Sequence, residues 1–159
     1  MNDLFPDDQE LSTAKVLVID DEESDINVIE WIFQAAKFPN IRTVTDSKEA
    51  VEVFRRFRPD LVLLDLFMPE PDGFTILKAL RQEEPAGDFL PVLVLTGYDN
   101  AETRIKAMAA GANDFLGKPV DFTEVMLRVK NLLQTRFLHQ RARALQAQIK
   151  ARSTAKGGR

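Results

Sequence analysis

The stretch VLLDLFMPEPDGF, residues 62–74, decides how the rest of the chain is read. With Leu61 it opens as a short, wholly apolar run that meets a carboxylate at Asp65. Met68-Pro69 and Asp72-Gly73 then supply breaker and turn residues, and an amphipathic segment follows. A short apolar run bounded by turn residues reads as a strand buried on both faces, the signature of a parallel sheet. Asp65 therefore falls at the carboxyl end of a central strand, where open α/β sheets place their chemistry. One acid there could equally cap the next loop, so the other strand ends carry the decision.

Upstream, Lys15 to Asp20 (KVLVID) is a β-branched strand ending in the run Asp20-Asp21-Glu22-Glu23, and residues 1–14 read as a flexible lead. From Ser24 to Lys37, Val28, Ile29, Ile32, Phe33 and Ala36 recur at helical spacing. Pro39-Asn40 breaks the chain before a short strand, Ile41 to Thr45. Asp46 with Glu49 has capping-box spacing for a helix whose inner face is Ala50, Val53, Phe54 and Phe57.

Downstream, 74–84 reads as a helix and 91–95 as an apolar strand ending at Thr96-Gly97. Asp99 with Glu102 opens a further helix, closed by Gly111 as a left-handed cap. Asn113 to Leu116 makes the last strand, followed by Gly117-Lys118-Pro119, and Asp121 with Glu124 caps a long final helix.

Five strands alternating with five helices predict an α/β fold, a parallel sheet covered by helices on both faces. Right-handed crossovers favour the flavodoxin-like strand order 2-1-3-4-5. That order brings Asp20, Asp21 and Asp65 together at the switch point. Converging carboxylates repel unless a cation neutralises them, and an all-oxygen set suits a hydrated magnesium-type ion. With Thr96 and Lys118 at the neighbouring strand ends, the crevice holds a nucleophilic carboxylate, a metal site, an ammonium and a hydroxyl. That set can capture a phosphoryl group, whose transfer is mostly positioning and charge neutralisation.

Composition narrows the classes. No cysteine is present, which removes disulfides, thiolate metal sites and cysteine nucleophiles. No apolar run approaches the roughly 20 residues that span a bilayer, so no membrane partner is expected. The acidic start, MNDLFPDDQE, lacks a signal-peptide pattern, and a cytoplasmic location is expected. The net charge of -4 hides an asymmetry. Residues 1–124 hold all 25 acids against 12 basic residues, while 125–159 hold nine basic residues and no acid.

The acidic pair Asp20-Asp21, the DLFMPEPDG stretch around Asp65, Thr96-Gly97 and Lys118-Pro119, in this order and spacing, resemble the receiver domain of two-component response regulators. The resemblance covers 15–133 and implies a phosphorylation-dependent signalling switch, a phosphoacceptor and not an enzyme in its own right. It makes Asp65 the acceptor for a phosphoryl group from a histidine kinase or phosphotransfer protein. It assigns magnesium to Asp21, Asp65 and the Phe67 carbonyl, with Asp20 acting through a metal-bound water. Lys118 would bind a phosphoryl oxygen and precede a cis proline, Thr96 would swing onto the phosphoryl group, and Phe115 would be the switch aromatic.

By the same resemblance, Phe67 and Tyr98 tune the approach of water to the acyl phosphate. The fourth helix, fifth strand and fifth helix (α4-β5-α5 in a five-helix count) form the output surface. Arg104, Lys106, Asp114 and Arg128 sit where many receivers make dimer salt bridges. A magnesium-dependent phosphatase of related topology would carry an Asp two residues after Asp65, where this chain has Phe67. The alternative that stays open is an adaptor or dimerisation module whose partner binding is largely independent of phosphorylation.

The final helix is long for a receiver. No Gly or Pro interrupts it from Asp121 to about Ala151, and Leu138, Ala142, Leu145 and Ile149 continue an apolar stripe. Residues 134–159 therefore read as a helical extension or linker with a frayed tail from Thr154. The expected uses are a homodimer, through this helix or the output face, or a link to an output domain or effector protein. Direct nucleic-acid binding is not expected.

Overall fold

A computed structural model of the chain describes residues 5–158. Five parallel strands, β1 (Val16–Ile19), β2 (Ile41–Val44), β3 (Leu61–Leu64), β4 (Val92–Thr96) and β5 (Asp114–Gly117), lie in the order β2-β1-β3-β4-β5. This is the order expected from the sequence. Six α-helices surround them: α1 (Asp8–Leu11), α2 (Glu23–Ala35), α3 (Ala50–Phe57), α4 (Gly73–Glu83), α5 (Ala101–Ala109) and α6 (Phe122–Lys156).

The three central strands, β1, β3 and β4, are apolar at nearly every position because both faces are covered. On one face Val18, Leu63 and Leu95 pack with Ile29 and Phe33 of α2 and Val125 and Val129 of α6. On the other, Ile19, Leu64 and Val94 pack with Phe54 of α3, Ile76 and Leu80 of α4, and Ala107 of α5. Each such fully buried aliphatic side chain contributes about 1.5–3 kcal/mol. The helical repeat expected in α2 is shifted, however. Ile26 joins Ile29, Ile32 and Phe33 in the core, and Val28 is exposed.

Local chemistry sets the helix ends, with two departures from expectation. Asp72 and Asp121 cap α4 and α6 by accepting from Thr75 N and Glu124 N. Asp46 starts a 3₁₀ turn, Ser47–Glu49, and bonds Lys48 N, so its expected Glu49 box does not form. The cap of α5 is Asn100, accepting from Thr103 N, which frees Asp99 to pair with Arg104 at 2.6 Å. Gly111 adopts the left-handed φ of 110° that its cap position requires.

Near both ends the described residues form helices. Within the lead of 1–14 that the sequence reads as flexible, Asp7 caps α1, and Leu11 and Ala14 are buried in the core. Residues 1–4 of that lead lie outside the described residues. Helix α6 continues to Lys156, past the Thr154 from which the sequence suggests fraying. The packed part of α6 also passes Leu133. Arg136 is buried and bonds Asp60 at 3.1 Å and the Phe89 carbonyl at 2.6 Å, and His139 reaches the Gly87 carbonyl. Arg141 pairs with Glu10 and Lys130 with Asp8, which ties α1 to α6. No described helix is long and apolar enough to cross a membrane.

Candidate functional site

Register assembles the crevice. Ile19 of β1 lies opposite Leu64 of β3, so the next residues, Asp20 and Asp65, leave the sheet side by side. The Asp65 amide donates to the Ile19 carbonyl at 3.0 Å. The loop after Asp65 folds back onto itself, with Gly73 N donating to Leu66 O at 2.9 Å. A β-carbon at Gly73 would collide with the Asp65 carbonyl oxygen, so glycine is needed there to let α4 start this close to the strand end.

One ligand oxygen from each of Asp20, Asp21 and Asp65 lies within 4.8 Å of the others. Asp20 and Asp65 are buried, and Asp21 Oδ1 is a buried oxygen with no hydrogen-bond partner. A buried unpartnered carboxylate oxygen beside two other acids is costly unless a cation shares it. The donor set is all oxygen, as a hydrated divalent ion of the magnesium type prefers. The three residues thus fit such an ion.

Lys118 enters from the loop after β5 and answers part of this charge. Its Nζ lies 2.6 Å from Asp20 Oδ2 and 3.6 Å from Asp65 Oδ2. It also lies 2.6 Å from Asp25 Oδ2, a residue of α2 that the sequence reading did not single out. Burial pushes the Asp20 carboxyl above its ordinary 3.8, against the hydrogen bond from Lys118. Burial likewise raises Asp65, with Lys118 opposing and Asp20 adding to the rise. For Lys118 burial works against the charged form, but the bonds to Asp20 and Asp25 outweigh it and hold the ammonium above its ordinary 10.5.

The remaining predicted residues surround this core. Thr96 is fully buried at the end of β4, and its hydroxyl accepts from Tyr98 N at 3.3 Å, with no hydrogen bond to the carboxylates among the described residues. Phe67 N makes only a long contact to Asp65 Oδ1, 3.5 Å. The Phe67 ring lies against Tyr98, centroids 4.4 Å apart, and both side chains are exposed. Phe115 is buried in β5 beneath the Arg104 guanidinium, 5.1 Å from the ring centroid. The Lys118-Pro119 bond is cis, as the resemblance implies, and so is Glu70-Pro71.

The four residues named for dimer bridges already have partners within the chain. Asp114 pairs with Arg128 at 2.9 Å, Arg104 with Asp99, and Lys106 lies over the Phe74 ring.

Clustered acids and one ammonium thus line a crevice at the carboxyl edge of a 2-1-3-4-5 sheet. Residues 16–130 match the family model of the response regulator receiver domain, and the chain belongs to that family. The regulatory protein TcrX of Mycobacterium tuberculosis is 40% identical over 121 residues, which are 75% of this chain and 49% of TcrX. Response regulator PleD of Caulobacter vibrioides is 36% identical over 125 residues, 79% of this chain and 27% of PleD. The chain thus spans about half of TcrX and about a quarter of PleD. Among solved structures, the receiver domain of sensor histidine kinase PA1611 of Pseudomonas aeruginosa superposes with a TM-score of 0.68 at 26% identity. That match covers 76% of this chain and 98% of the other, which holds a magnesium ion coordinated in its active site cleft.

Proposed function

We propose that this receiver accepts a phosphoryl group on Asp65 from the phosphohistidine of a histidine kinase or phosphotransfer protein. Asp20, Asp21, Asp65 and the Phe67 carbonyl would hold the magnesium ion the step requires. The observation that carries this reading is the unpartnered, buried Oδ1 of Asp21 within a three-carboxylate cluster. When bound, magnesium supplies the positive charge that lets a carboxylate and a phosphoryl group approach each other.

The chain's own residues do the rest. A bond forms between an Asp65 carboxylate oxygen and phosphorus as the phosphorus–nitrogen bond of the donor breaks, its electron pair going to the imidazole. Lys118, 3.6 Å from Asp65 Oδ2, is close enough to reach a phosphoryl oxygen. The Thr96 hydroxyl turns from Tyr98 N onto the phosphoryl group, and Phe115 responds at the output face formed by α5, β5 and α6. The Phe67 and Tyr98 rings flank the opening and support a phosphoryl group shielded from water. An exposed aromatic pair, Trp31 of α2 and Phe122 of α6 with ring centroids 6.3 Å apart, supports docking of the phosphodonor there, Phe122 lying four residues beyond Lys118. Output then passes to a partner protein, an output domain or a second copy, for which the exposed Leu145 and Ile149 of α6 offer an apolar stripe.

Incubation with acetyl phosphate and magnesium, followed by intact mass, tests the reading. A mass gain of one phosphoryl group, absent in Asp65→Asn, is expected. No gain would favour the adaptor reading, and continuous turnover of the donor would favour a phosphatase.

A further inference from the structure

Lys118 faces three carboxylates, and its distances to them are unequal. An ammonium has three N–H donors. Two reach Asp20 and Asp25 at 2.6 Å, while Asp65 Oδ2, at 3.6 Å, lies beyond good hydrogen-bond range. The residue proposed to be phosphorylated is thus the one Lys118 engages least. The two close partners also differ in exposure. The Asp20 side chain is 7% exposed and that of Asp25 is 38%. Stripping the ammonium from Asp20 would leave a charge buried and unpaired, whereas Asp25 can turn to water.

We propose that Asp25 is a positioning residue that holds Lys118 back from Asp65 in the resting state, and that phosphorylation moves the ammonium from Asp25 to a phosphoryl oxygen. The inference rests on the phosphoryl-acceptance reading above and adds a competitor to it. Lys118 is drawn toward the rim by a carboxylate on α2, and the incoming group must win it away.

The test is the rate of mass gain with acetyl phosphate in excess magnesium for wild type, Asp25→Asn, Asp25→Glu, Lys118→Ala and the Asp25→Asn/Lys118→Ala pair. Asp25→Asn is expected to react about 10-fold faster, the change produced by about 1.4 kcal/mol off the barrier. Asp25→Glu, which restores the charge, should return the rate toward wild type, and Asp25→Asn should have no effect once Lys118 is gone. In metal-free protein, the Lys118 ammonium NMR resonance should shift in Asp25→Asn and stay put in the neighbouring control Glu22→Gln.

An unchanged or slower Asp25→Asn overturns the proposal, and so does an equal acceleration without Lys118. A wild type that gains no phosphoryl group removes the function reading and this inference together. A wild type that gains one while Asp25→Asn matches it removes only the inference.

Discussion

The two ends of the sheet bury charge in opposite ways. At the carboxyl end, Asp20, Asp25 and Asp65 share the ammonium of Lys118, and beside them Asp21 carries a buried oxygen with no hydrogen-bond partner. At the amino end, Asp60 accepts from Lys15 N at 2.9 Å and from Arg136 Nε at 3.1 Å. Asp88 meets Arg136 and Arg143 there, and the Phe89 carbonyl takes a further Arg136 proton. The amino end is balanced and saturated with hydrogen bonds, so its charges hold structure. The carboxyl end carries surplus negative charge that only an added cation or a changed ligand relieves. Imbalance, more than burial, distinguishes the two ends of the sheet.

The sharpest way to break this comparison is to remove the amino-end cation. Arg136→Ala leaves Asp60 without its guanidinium in a site where the Arg136 side chain is 9% exposed and that of Asp60 19%. Denaturant unfolding should show a loss of about 3 kcal/mol, as for one partner of a buried pair. A loss below about 1 kcal/mol, the surface-pair range, would mean that the charges are screened and the contrast is false.

Magnesium should act at the other end only. At free metal 100 times its dissociation constant, linkage stabilises the fold by about 2.7 kcal/mol. Thermal melts should show the same increment in Arg136→Ala and none in Asp21→Asn. An unchanged wild-type melt at saturating metal would mean that the three acids do not act as one site.

The smallest effect has the opposite sign from the first. In excess chelator, Asp65→Asn should be more stable than wild type by about 1 kcal/mol, within the usual range of single stabilising changes. Burial raises the Asp65 pKa on folding, so its penalty is present only when the carboxyl is ionised. The penalty is full above the raised pKa and gone below the ordinary 3.8. The gap between the two proteins should therefore close as pH falls through that interval, as followed by melts from neutral pH to pH 4. A gap that widens on acidification would reverse the assignment.

What the sequence disclosed follows the same division. Strands and their order were legible because short apolar runs such as 61–64, bounded by turn residues, read as strands covered on both faces. Asp20, Asp21, Asp65, Thr96 and Lys118 were legible because each interrupts or follows such a run. Asp25 was hidden in the first turn of a helix, where an acid ordinarily serves the helix dipole. Arg136 was hidden for another reason. A basic residue on a long polar helix reads as solvated, and its partners Asp60 and Asp88 lie 76 and 48 residues away in sequence. Asn100 displaced Asp99 as a cap through a choice of one residue, which pattern does not resolve. In the lead, Leu11 and Ala14 are buried and Asp8 and Glu10 pair with α6, and two apolar residues carry no periodicity.

Helix α6 joins these two ends mechanically. It begins at Phe122, four residues after Lys118, is gripped at Arg136, and continues to Lys156. As a rigid rod pivoting at that grip, it has arms of about 21 Å toward the crevice and about 30 Å toward its far end, at 1.5 Å per residue. A sideways shift of about 1 Å at Phe122 then swings the tip by about 1.4 Å in the opposite direction, the ratio of the two arms. The guanidinium at Arg136 is in this sense a fulcrum, and moving it along the helix would alter the leverage without touching the crevice.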